Sequence, residues 1–186
     1  MHTCTHAHMH TCTHAHLAQS LLRDLAKDLP LHSWLCDAIW PLKANYAEED
    51  GYTAAMLTVA EMLKTRTTCF FEAVLTYPSG LENIMRAAEE TRKSLFGKLI
   101  KAVERNLDLS LKDARDRDVE FMSIASAPKA YQQHYGSYDD RIHMWFSAGK
   151  PRGSLVFAHT AIGEAAQGHN IGLIMHCAEA PKGLSI

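Results

Sequence analysis

Apolar and polar residues along this chain switch repeatedly between a helical and a strand-like spacing. Leu17, Leu21, Leu25 and Leu29 recur every four residues, which predicts a helix stripe. Pro30 would end it. "LHSWLCDAIWPL" predicts a second short helix, stopped by Pro41. From Glu48 to Lys64 the pattern predicts a long helix with Tyr52, Ala55, Met56, Val59 and Met62 on one side. "TTCFFEAVL" then changes to a short apolar run rich in β-formers, as expected of a strand buried on both faces. "SGLENIMRAAEETRKS" predicts a helix capped by Ser79, and "LFGKLIK" a short buried strand. Residues 110 to about 133 read as helical, with "KDARDRDVE" as a solvated face. "RIHMWFSAG" predicts a strand, "HTAIGEAAQGHN" a helix and "IGLIMHCAE" a last buried strand.

Strands separated by helices imply a parallel sheet with helices packed outside it, an α/β fold. About five strands suit either an open doubly wound sheet or part of a (β/α)8 barrel, and periodicity alone does not choose. No GxGxxG or Walker-type loop follows the first strand, so the nucleotide-binding version has no support.

Composition narrows the classes further. The chain has 186 residues, 47% hydrophobic and 22% charged, with a net charge of −2. That balance offers no electrostatic case for nucleic acid or an anionic membrane. No apolar run approaches the roughly 18 residues of a membrane span, and the first thirty residues lack a secretory pattern. A cytoplasmic location is the expectation. The five cysteines, Cys4, Cys12, Cys36, Cys69 and Cys177, are scattered without a CxxC, which argues against a zinc knuckle and for buried thiols.

The candidate chemistry is histidine. "MHTCTHAH" occurs twice in succession, and six of the twelve histidines fall in residues 1–16. Only the second copy runs into "LAQSLLRDL". Residues 1–8, with His2, His6 and His8, are therefore expected to form a disordered extension, and 9–186 one domain. On a strand, His14 and His16 point to one face and can reach one metal ion. His176 sits near the end of the last strand. Parallel strands end on the same side, so His14, His16 and His176 are expected to converge. Three histidines suit a divalent metal, zinc first. Glu179, three residues on, is placed to carry protons for an attacking water.

These residues carry a resemblance. "THAHLAQSLLRDLAKDLPLHSWLCDAIWPL", "AAMLTVAEMLKTRTTCFFEA" and "IGLIMHCAE" resemble the amidohydrolase superfamily, in its branch of methylthioadenosine/S-adenosylhomocysteine deaminases and triazine chlorohydrolases. The similarity runs from Thr13 to Glu179. It implies a (β/α)8 barrel with one catalytic zinc or iron, metal histidines at His14, His16 and His176, and a proton-donating carboxylate at Glu179. It implies hydrolysis of a non-peptide carbon–nitrogen bond in a small heterocyclic substrate, with deamination as the expected reaction. Trp34 falls where that branch places a substrate-facing tryptophan; core packing is the alternative. Arg152 falls among its substrate-contacting loops; a solvated arginine is the alternative.

Against that pattern, a whole barrel takes about 250 residues, so this chain is expected to form an incomplete, truncated (β/α)8 barrel. The resemblance places a sixth-strand histidine and an eighth-strand aspartate beyond Ile186. Arg66 stands where the branch has glycine, a strained position if its φ is positive. Lys43 stands where the nucleoside deaminases carry a ribose-binding glutamate. The first and fifth strands would present open edges, which favour self-association. The alternative to an enzyme is a non-catalytic remnant that binds zinc or associates with another chain.

Overall fold

A computed structural model of the chain describes residues 10–11, 14–47, 49–72, 80–91, 94–96, 123–148 and 156–177. Strand β1 (His10–Thr11) leads through Ala15 into a 3₁₀ helix, Leu17–Leu22. A continuous helical stretch follows: α1 (Leu31–Ser33), a π-helical turn (Trp34–Ile39) and α2 (Trp40–Lys43). Then come α3 (Asp50–Lys64), β2 (Thr67–Phe71), α4 (Leu81–Glu90) and β3 (Ser94–Phe96). Helix α5 (Ser126–His134), a short helical turn (Ser137–Asp140), β4 (Ile142–His143), β5 (Phe146–Ala148), α6 (Val156–Gly168) and β6 (Leu173–Met175) complete the described elements.

All the strand pairs are parallel. One sheet has the order β1-β2-β3-β4, and a second pairs β5 with β6. The expected "RIHMWFSAG" strand is thus broken at Met144 and Trp145. Its first half pairs with β3 and its second half with β6. The α/β class and the parallel direction follow the sequence reading, and the sheet is small and open.

Several local expectations are corrected. The leucine stripe does not form a buried helix: Leu17 and Leu22 are buried, but Leu21, Leu25 and Leu29 are exposed, and the helix ends where Arg23 turns extended. Left-handed φ at Asp24 and Asp28 breaks the run that a four-residue spacing assumed. Pro41 does not stop its helix. The π turn ahead of it loosens the i to i−4 ladder, so the missing N–H and the ring are accommodated. Gly80, with φ of 69°, precedes α4 in the place expected for Ser79, which lies outside the described residues. Strand β2 has Thr68, Cys69 and Phe71 partly exposed, and β6 exposes Leu173 and Met175. Among the described residues β6 lies at the edge of its two-stranded sheet. The charged "KDARDRDVE" run lies outside the described residues.

The core lies between the sheets and the helices. Leu17, Phe70, Ile84, Met85, Ile142, Phe146 and Ile162 have essentially no exposed surface. Each such side chain contributes roughly 1.5–3 kcal/mol relative to an exposed one. Helix α3 packs chiefly on the 3₁₀ helix and on α4 through Ala54, Ala55, Val59 and Met62. Phe71 of β2 meets Trp145 edge to face at 5.0 Å between ring centres. Trp145 in turn lies against the backbone of Gly172, whose carbonyl accepts a 2.7 Å bond from Phe146 N–H. This stack ties β6 to β2.

Two substitutions with opposite signs test this packing. Arg66 has φ of 60° at the end of α3, a conformation that strains a side chain. Arg66→Gly is expected to stabilise the fold by about 0.5–1 kcal/mol, read from the urea midpoint. A Cβ on Gly172 would fall 2.4 Å from the Trp145 ring. Gly172→Ala is expected to destabilise by about 1–3 kcal/mol in the same assay.

Candidate metal centre

The site is built at the C-terminal ends of the outer strand positions. Past β1, Ala15 forms a parallel bridge with Glu72, and its N–H donates to Phe71 O at 2.7 Å. Ala15 turns inward and is 9% exposed, so the extended chain sends His14 and His16 to the opposite face. His176 follows β6 directly. The three imidazoles meet there. Nε2 to Nε2 separations are 2.9 Å for His14–His16, 3.1 Å for His14–His176 and 3.3 Å for His16–His176. His16 and His176 stack with 13° between ring planes, and His14 stands edge-on to both. His14 is exposed; His16 and His176 are half-buried, so the group opens at the surface.

The donor set fits a divalent ion. Nitrogens about 2.0–2.1 Å from a common zinc at angles of about 90–110° lie about 2.9–3.4 Å apart. The observed triangle has that size, and one ring nitrogen from each histidine faces the same point. Imidazole suits zinc, copper, iron and nickel better than it suits magnesium or calcium.

Behind the histidines the chain is held tightly. Ser20 Oγ donates to Ala54 O at 2.6 Å, and Tyr46 Oη donates to Ala18 O at 2.7 Å. Burial, with a smaller contribution from Asp50, pushes the Tyr46 phenol up to about 12, so it stays a neutral donor through the physiological range. Arg23 makes a two-pronged ion pair with Glu61 on α3. The segment after His16 is thereby fastened to α3 and to the loop that follows α2.

Trp34 occupies the first position of the π turn and is half-buried. Lys43, at the end of α2, is 4% exposed. Glu179 and Arg152 lie outside the described residues, as do His2, His6 and His8. One residue that the sequence reading passed over is Glu72. It is fully buried, and its Oε2 accepts the Leu17 N–H at 2.7 Å. A readable signal existed: an acid closing the apolar run "TTCFF" is out of place unless it has a partner.

Among the described residues no helix is long and apolar enough to cross a membrane. The chain is 30% identical over 178 residues to a 5'-deoxyadenosine deaminase of Methanobrevibacter smithii, covering 96% of this chain and 36% of that protein. It is 27% identical over 163 residues to a 5-methylthioadenosine/S-adenosylhomocysteine deaminase of Thermoanaerobacter pseudethanolicus, covering 88% of this chain and 35% of that protein. The chain thus spans about a third of the length of these curated relatives. Its fold is similar to an adenosine deaminase from Xanthomonas campestris solved with bound zinc, with a TM-score of 0.73 at 22% identity, over 92% of this chain and 36% of that one. The model of the amidohydrolase family matches residues 11–185. With nearly the whole length matched, and the resemblance first carried by His14, His16 and His176 set beside these relatives, the chain belongs to the amidohydrolase family.

Proposed function

We propose that this chain supplies the metal-holding strands of a hydrolase acting on carbon–nitrogen bonds other than peptide bonds, and that the reaction is deamination of a small heterocyclic amine. The observation that carries this is the meeting of the His176 imidazole with those of His14 and His16, 162 and 160 positions earlier, the three ring nitrogens lying within 2.9–3.3 Å of one another. The deaminase names of the relatives support the reaction class.

In this reading residues 9–186 form an incomplete (β/α)8 barrel, with the first octapeptide outside it. His14, His16 and His176 hold one divalent ion, zinc in the first instance. Such an ion, when bound, supplies Lewis-acid activation of water near neutral pH. The protein's own residues do the rest. The open rim beside the exposed His14 admits a flat ring. Glu179, three residues beyond His176, carries a proton to a ring nitrogen while ammonia departs. Trp34 and Arg152 are assigned as substrate contacts. The free thiols of Cys69 and Cys177 suit a reducing, cytoplasmic setting.

Two measurements test this. Elemental analysis of purified protein is expected to find about one zinc per chain. The double variant His14→Ala with His16→Ala, and separately His176→Ala, should fall to background. Zinc retained by either variant would remove the centre. The second is ammonia release across purine nucleosides, pterins and triazines, assayed with the chain and with any longer polypeptide that contains it. Release that disappears in Glu179→Gln while zinc is retained is the expected result. Zinc bound with no release from any polypeptide would favour a non-catalytic metal-binding chain.

A further inference from the structure

We propose that Glu72 is the positioning residue of the histidine centre: its buried carboxylate holds the peptide that follows His16 and so aims the His16 imidazole at its two partners. The inference rests on the metal reading above.

The reasoning begins with the strand ladder. In parallel pairing, alternate N–H groups of one strand bond successive carbonyls of its neighbour. Ala15 N–H takes the Phe71 carbonyl. The next N–H on that edge, Leu17, would by the same rhythm take a carbonyl two residues further along. It turns instead to the Glu72 side chain, at 2.7 Å. The carboxylate therefore stands in for a rung of the sheet at the point where the backbone leaves it.

That substitution has a reason. His16 has φ −129° and ψ 73°, between strand and helix, and the 3₁₀ helix starts at Leu17. The first N–H groups of a helix have no partner within it. His16, at the cap position, makes no side-chain cap bond. A side-chain oxygen from beside a neighbouring strand satisfies the Leu17 donor at the start of the helix. Glu72 and Leu17 both have 0% exposure, so water cannot serve instead.

The consequence falls on His16. Its two neighbours are held by consecutive residues at the end of β2, Ala15 by Phe71 and Leu17 by Glu72. With both flanking peptides pinned, the Cα–Cβ direction of His16 is set. Without the carboxylate, only one side is held, and the imidazole can swing out of the 2.9–3.3 Å triangle.

Cobalt(II) is the probe, titrated into the 186-residue chain against a competing chelator, with the visible absorption bands reporting coordination geometry. Glu72→Met fills the space without an acceptor. Glu72→Asp keeps the charge but draws the oxygen back by one methylene. Both are expected to weaken cobalt binding at least about tenfold and to alter the absorption bands, the scale typical when a residue supporting a metal ligand is lost. Glu72→Gln returns an oxygen to the same place and should keep the wild-type bands, with affinity within about threefold. Wild-type affinity and bands in Glu72→Asp, or losses in Glu72→Gln equal to those in Glu72→Asp, would overturn the proposal. These two variants suffice if Glu72→Met does not fold. A role confined to stability would lower the melting temperature of the metal-free protein and leave the affinity of the folded protein unchanged, which also overturns it. The His14→Ala/His16→Ala protein runs alongside: cobalt binding unchanged there would sink the histidine centre itself, a result separable from failure of Glu72 alone.

Discussion

Parallel pairing of the strands is the constraint on which the rest depends. Because β1, β2, β3 and β4 run the same way, and β5 and β6 likewise, their C-terminal ends gather on one side. Two short histidine-bearing segments, one at each end of the described chain, can then share a space of a few ångströms. Antiparallel pairing of β6 would send His176 to the opposite rim, and antiparallel pairing of β1 would send His14 and His16 there. The contact between Phe71, Trp145 and Gly172 turns that general rule into a specific distance, since it locks β6 against β2 across the break at Met144.

Around the histidines the protein uses a graded set of anchors. The innermost are Phe71 and Glu72, which hold the backbone on either side of His16. Next come Tyr46 and Ser20, which tie the 3₁₀ helix to its neighbours. The outermost is the exposed pair of Arg23 and Glu61. Exposed pairs of this kind contribute little to stability. The buried bonds are the ones whose loss leaves a polar group stranded, and they carry the geometry. A rigid inner frame under a surface-open trio of imidazoles is what a site needs if it is to hold an ion and still admit a substrate.

The departures from the sequence reading share a cause. The leucine stripe from Leu17 to Leu29, the stop at Pro41 and the buried character of β6 were all inferred from local spacing. In each case the outcome depended on something not local: left-handed turns at Asp24 and Asp28, a π turn that makes room for a proline, and the place of β6 at the edge of its sheet. Arg66 is the converse case. There the resemblance, with glycine where Arg66 stands, pointed to a strained turn if φ is positive, and φ is 60°.

The sequence by itself determined the α/β alternation, the parallel direction and the identity of the three histidines, because these depend on periodicity and on residue chemistry that any fold must respect. It also carried the family resemblance. Only the tertiary structure decided that His14, His16 and His176 stand within hydrogen-bonding distance, and that Glu72 rather than a backbone carbonyl receives the Leu17 N–H. The physical reason is that the contacts of His176 with His14 and His16, and of Glu72 with Leu17, join residues 55 to 162 positions apart. Their distances are set by the packing of every element between them, which no local pattern encodes.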